Sequence, residues 1–211
     1  MYTHTFGLTR STAGNLVLSF ALMNIFARTL GGFFGDRFGR LKGLRGRVFF
    51  LTVILALEGV MLSVFSMATS FAMGIIFLIA FSLTVQMAEG ATFSVVPFIN
   101  KKAIGSISGI VGAGGNVGAF LAALLLKSKS ALAETNALAA NANLGEEAMK
   151  AAQSAAASGA VSSGYLLIGG FVIVTALVTL AIKFSAEDEK LVKEELQKAD
   201  KSVINLSPSS I

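Results

Sequence analysis

Apolar residues along this chain come in long runs, too many and too clustered for a water-soluble core. Crossing about 30 Å of hydrocarbon takes roughly 20 helical residues at about 1.5 Å each. Five runs with few charges reach that length: Ala13 to Phe34, Val48 to Ala68, Phe71 to Val96, Ile104 to Leu126, and Ser162 to Phe184. The pattern predicts an all-α membrane protein with five transmembrane helices. The first run is too long for a cleaved signal peptide, lacks a basic start, and ends in glycine and charge instead of a cleavage site.

What lies between the runs sets the orientation, because short loops rich in Lys and Arg stay on the cytoplasmic side. Arg37, Arg40, Lys42, Arg45 and Arg47 face Asp36 alone after the first run, and Lys101 and Lys102 follow the third. The link around Thr69 and Ser70 is uncharged and suits the outer side. The expected layout is an outer loop at 1–12, four crossings with a charged loop at 13–126, an Ala-rich outer connection at 127–161, a last crossing at 162–184 and a cytoplasmic tail at 185–211. Within 127–161, Asn143 ahead of Glu146 is a helix-start signal, and a short surface helix or a low-complexity linker both fit. Glu146, Glu147 and Lys150 argue against a sixth crossing there. Ser185, then Glu187, Asp188 and Glu189, then Lys193, Lys198 and Lys201, predict a charged tail helix, solvated or docked on a partner.

Composition narrows the chemistry. The 211 residues are 54% hydrophobic and 14% charged, against about a quarter charged in an ordinary soluble domain. There is no cysteine, and His4 is the one histidine, so thiolate metal sites, cysteine nucleophiles, histidine triads and zinc clusters cannot be assembled. No enzyme activity, metal or cofactor is expected. The net charge of +5 sits between apolar runs and not on an aromatic-flanked basic face, so a lipid bilayer explains it better than nucleic acid.

Ionised side chains deep in a bilayer are costly and usually face a protein-lined cavity. Three call for such an account: Arg28, Glu58 and Glu89. At about 100° per residue, Ala21, Asn24, Arg28, Gly32 and Gly35 share a stripe, which reads as a bundle-facing side carrying a cation. A guanidinium is a planar fork of donors that matches a planar oxyanion and stays charged. The alternative is a tie between helices, with Arg28 paired to Glu58 or Glu89. Glu58, among Leu55, Val60 and Leu62, fits structural pairing, a neutral carboxyl or proton coupling. Glu89, near Gln86, Gly90 and Phe93, fits cavity lining or helix packing, and is the other group able to carry a proton.

The fourth run holds the sequence GSISGIVGAGGNVG from Gly105 to Gly118. Gly105, Gly109, Gly112 and Asn116 lie within about 60° on a helical wheel. Small residues spaced in this way let membrane helices approach closely, which places the Asn116 amide at a tight contact with a helix or a ligand.

These residues resemble the major facilitator superfamily. Gly32, Asp36, Arg37, Gly39 and Arg40, in GFFGDRFGR, match its cytoplasmic loop motif. NIFARTLGG (Asn24 to Gly32), PFINKK (Pro97 to Lys102) and GIVGAGGNVGA (Gly109 to Ala119) are similar to stretches of the nitrate/nitrite porter family, over about residues 10 to 126. The resemblance implies a twelve-helix fold in two pseudo-symmetric halves with the substrate, nitrate or nitrite, bound between them. It implies that Arg28 is one of two anion-holding arginines, with Asn24, Asn116, Gly114 and Gly115 beside the site. Gly105, Gly109, Gly112 and Gly118 would pack helices during alternating access. It also implies that the five runs are helices eight to twelve, that helices one to seven and the partner arginine are missing, and that the protein sits in a plasma (inner) membrane. A polypeptide so placed is expected to need its other half for transport, or to serve as a structural or assembly element; another small organic anion is the remaining alternative.

Overall fold

The computed structural model describes residues 10–190 and 192–194, with side chains left out for 10–17, 19–22, 24 and 101. Most of the expected outer loop at 1–12 and of the tail at 185–211 lies outside the described residues.

Among the described residues every long element is helical. They are α1 (Arg10–Lys42), α2 (Leu44–Ser66), α3 (Phe71–Val95), α4 (Ile104–Ala140) and α5 (Glu146–Thr179), with 3-10 turns at Val96–Phe98 and Lys101–Ala103. Among the described residues, α2, α3 continued through Phe98, α4 and α5 are the four helices long and apolar enough to cross a membrane. The other expected crossing, Ala13 to Phe34, lies within α1, whose 33 residues also carry Arg28, Asp36, Arg37, Arg40 and Lys42.

The expected charged loop after the first run is not a loop. α1 continues to Lys42, a single glycine turns the chain, and α2 begins at Leu44. Gly43 has φ 68°, a backbone conformation that side chains disfavour, and its N–H closes on the Gly39 carbonyl at 2.8 Å. The helix persists because its inner face is aromatic. Phe38 stacks on Phe50 at 5.4 Å, and Phe34 lies 6.1 Å from the same ring. Arg40 and Lys42 at its end suit the negative end of the helix dipole.

Local signals set the other boundaries. Ser70 caps α3 by accepting from the Met73 N–H at 3.3 Å. Pro97, which has no N–H to donate, ends α3 in a 3-10 turn, and Asn100 caps the next turn by accepting from the Lys102 N–H at 3.0 Å.

The expected outer connection is largely helical too. α4 runs past Leu126 to Ala140 and α5 starts at Glu146, ahead of the expected Ser162. At about 1.5 Å per residue the two extend well beyond the hydrocarbon thickness. The Ala-rich composition explains it, since alanine has the highest helix propensity, and Glu146 and Glu147 occupy the first turn of α5 where negative charge is favoured. Gly145, not Asn143, precedes that turn.

α1 and α3 lie side by side in the same direction, and α2 packs against both and against α5. Gly59 and Gly169 mark the α2–α5 crossing, where a Cβ on Gly59 would sit 2.6 Å from the Gly169 carbonyl oxygen. α4 packs on α5, with Leu126 against Gly164, and at its start on the short turns. The core is at the Gly43 end: Val48, Phe50, Leu51 and Ile54 of α2 against Ala88, Ala91 and Val95 of α3, with Phe184 packed on them.

Residues 186–190 and 192–194 are helical, with Glu189 and Val192 turned toward the rest of the protein and the others exposed. Arg45 pairs with Glu189 at 2.8 Å, and Val192 is 4% exposed.

Candidate anion site

The α1–α3 contact is built from glycines. A Cβ on Gly31 would lie 2.1 Å from the Met87 carbonyl oxygen, and one on Gly90 would lie 2.1 Å from the Arg28 carbonyl oxygen. Only residues without side chains let two backbones meet in this way. Gly35 fits the same seam, against Ser94 and Ala91.

This seam brings Arg28 beside Glu89, and the Arg28 guanidinium donates to the Glu89 carboxylate through Nη2. Of the two sequence readings of Arg28, the pairing to Glu89 is therefore present. The side chains stay 51% and 40% exposed, so the pair is not sealed off. Glu58 is not part of it. That side chain is partly buried on α2 and has no ionic or hydrogen-bonding partner among the described residues.

Arg28 opens onto a groove of about 490 Å³. Thr29, Gly32 and Asp36 of α1 form one wall, Gly90, Phe93 and Ser94 of α3 the other, and Arg47, Pro97 and Phe98 the far end. Two guanidinium groups thus line one groove, each with a carboxylate partner.

Arg47 is the residue that sequence reasoning passed over as a loop charge. It is buried, donates to Asp36, donates to the Ser94 carbonyl at 3.0 Å, and lies 4.6 Å over the Phe98 ring. Gly39 makes room for it, since a Cβ there would meet its Nε at 2.6 Å. The sequence offered only adjacency, since Arg47 immediately precedes the run Val48, Phe49, Phe50, Leu51; the structure starts α2 earlier, at Leu44, and so puts Arg47 inside the helix. The loop motif accordingly divides in function, with Gly32 lining the groove, Asp36 and Gly39 holding Arg47, and Arg37 and Arg40 exposed.

The second half of the expected site does not join the first. Asn116 is exposed on α4, and Gly105, Gly109, Gly112, Gly114, Gly115 and Gly118 each have nothing within 4 Å of a built Cβ. The expected helix packing through these glycines has no partner among the described residues, because α4 presents its other side to α5. The side chain of Asn24 lies outside the described residues.

Related proteins give the groove a context. The chain is 43% identical over 120 residues to the high affinity nitrate transporter 2.5 of Arabidopsis thaliana, covering 57% of this chain and 24% of that protein. It is 38% identical over 132 residues to nitrate transporter 2.2 of Chlamydomonas reinhardtii, covering 62% and 26%. It is 36% identical over 147 residues to the nitrate/nitrite transporter NrtP of Picosynechococcus, covering 69% and 26%. The chain therefore spans about a quarter of the length of the curated relatives it matches, which fits part of a longer transporter. No family model matches the chain, and no solved structure matches it. These homologues are nitrate and nitrite transporters, not enzymes, and with four membrane-length helices they make this an integral membrane protein.

Proposed function

We propose that this chain, a homologue of the nitrate/nitrite transporters, is the part of such a transporter that holds the anion, with Arg28 as its ligand and nitrate or nitrite as the substrate. The observation that carries the reading is a half-exposed guanidinium opening onto a groove in a nitrate-transporter homologue. A planar fork of donors suits a planar oxyanion. Asn24, and Asn116 with Gly114 and Gly115 on the open face of α4, would complete the site once the remaining helices cover that face. Alternating access would then move the halves about it.

Orientation follows the charges. Arg37, Arg40, Lys42, Arg45 and Lys102 all lie at the Gly43 end of the bundle, which supports that end, and the C-terminus, facing the cytoplasm of a plasma-membrane protein. Glu89 and Glu58 are the two carboxyl groups within the spans placed to carry a proton alongside the anion.

The experiment is nitrate uptake by Arg28→Lys in a transport-competent protein, made by supplying the N-terminal helices of a relative. Lysine keeps the charge and loses the fork, so apparent affinity should fall at least tenfold. Unchanged affinity removes Arg28 from the site. One observation favours a second reading: Arg28 already has Glu89 as a partner, which is what a helix tie in a transport-incompetent assembly element would show. No uptake by the completed protein even with Arg28 intact, together with loss of thermal stability in Arg28→Lys, identifies the tie.

A further inference from the structure

The two roles of Arg28 need not exclude one another, because the atoms that pair with it resemble the guest it would receive. A carboxylate and a nitrate both offer a guanidinium a planar edge of two oxygens sharing negative charge. We infer that Glu89 is a tethered competitor for the anion subsite: its carboxylate occupies the Arg28 fork when no anion is present, and the incoming anion must displace it. The inference rests on the reading of Arg28 as the anion ligand.

Three features of the structure support displacement over permanent pairing. The contact uses one guanidinium nitrogen, Nη2, so the remaining donors stay available to begin an exchange. Glu89 has no other partner among the described residues and its side chain is 40% exposed, beside the groove-lining Gly90, so it is not packed in place. Its backbone, in contrast, cannot retreat: Gly90, the next residue, is pressed against the Arg28 carbonyl, where a Cβ would lie at 2.1 Å. A fixed backbone with a rotatable carboxylate keeps a high local concentration of competing anion beside Arg28.

The consequence is a reduced apparent affinity. A site open only part of the time binds with its intrinsic constant divided by the open fraction. Half-exposed ion pairs are weak, and the strength typical of them corresponds to a penalty of about two- to fivefold. The same weakness favours release, because Glu89 re-enters as the anion leaves. A helix tie predicts the opposite sign, since removing the tie loosens the site and weakens binding.

The test uses the chain completed with the N-terminal helices of a relative, in lipid nanodiscs, arginine-labelled with 15N, titrated with potassium nitrate and followed by guanidinium NMR, with potassium chloride controlling for ionic strength. Wild type should show a saturable nitrate-dependent shift at Arg28. Glu89→Gln should bind nitrate about two- to fivefold more tightly, with Glu89→Asp between the two. Arg28→Lys, which removes the reporting guanidinium, is compared with wild type by isothermal titration calorimetry and should give no saturable nitrate heat. The Arg47 guanidinium, held by Asp36 and Ser94, reports that each variant is folded. Should Glu89→Gln lose that signal, Glu89→Asp carries the test alone. If Arg28→Lys abolishes the response but neither Glu89 variant binds more tightly, the competition is overturned and the anion ligand stands. If Arg28→Lys still binds as wild type does, or no variant responds to nitrate, the ligand reading itself falls.

Discussion

Gly90 is locked against Arg28 by backbone, not by side chain: a Cβ on the glycine would meet the arginine's carbonyl oxygen at 2.1 Å and the Gly32 nitrogen at 2.9 Å. Neither atom belongs to a flexible side chain that could give way. Gly90→Ala must therefore push α1 from α3, and overpacking of this kind costs about 1–3 kcal/mol. The Arg28–Glu89 pair spans the same seam, so it should open as the helices part. Thermal unfolding in detergent should show the loss of stability, and guanidinium NMR the change at Arg28. An alanine variant as stable as wild type would show that the seam is looser than its geometry indicates.

Arg47 should matter more to stability than Arg28. It is 5% exposed and satisfies the Asp36 carboxylate and the Ser94 carbonyl while covering the Phe98 ring, so it joins α1, α2, α3 and the turn after α3. Arg47→Ala leaves a void and unpaired acceptors, and is expected to cost about 2–4 kcal/mol. Asp36→Asn keeps an acceptor and removes only the charge, so about 1 kcal/mol is expected. Paired melting curves check the order, and equal losses would mean the ion pair, not the packing, holds the corner.

The reach of the sequence differed by element, for physical reasons. Long apolar runs mark membrane-length helices because the bilayer demands length and composition together, and α2, α3, α4 and α5 were legible from this alone. The corner at Gly43 was not, because a cluster of charges between apolar runs has the pattern of a loop, whereas Phe34 and Phe38 on the inner face keep α1 helical to Lys42. The alanine-rich segment was hidden by the same assumption, since leaving hydrocarbon does not end a helix whose propensity is high. Arg28 and Glu89 stood out as charges in apolar runs, but their meeting depends on the α1–α3 register, which Gly31 and Gly90 set and no local pattern reveals. Glycine itself misled in part. The dense α4 run drew the packing prediction, and the tight crossings lie at more scattered glycines.

The docked end of the chain rests on an apolar contact more than on its ion pair. Arg45 is 80% exposed, and exposed pairs contribute about 0–1 kcal/mol. Burying a valine side chain contributes about 1.5–3 kcal/mol, and Val192 is 4% exposed. Val192→Asp should release residues 186–190 and 192–194 into rapid hydrogen exchange, while Arg45→Ala should raise exchange there only a few-fold. The reverse order would show that charge holds the segment.

Gly112 separates what this chain needs from what a longer protein would need. Nothing lies within 4 Å of a Cβ built there, so in the 211-residue chain Gly112→Ala meets no clash. Alanine in a helix is favoured over glycine by about 0.8–1 kcal/mol, and the substitution should stabilise the isolated chain by up to that amount. In a transport-competent protein the same face would be covered by the supplied helices, and a methyl group at a close helix contact should lower nitrate uptake without lowering the amount of protein in the membrane. The two measurements, a melting curve on the isolated chain and uptake in the completed transporter, are therefore expected to move in opposite directions. Uptake unaffected by Gly112→Ala, and by Gly109→Ala beside it, would mean that this face of α4 meets lipid and not another helix.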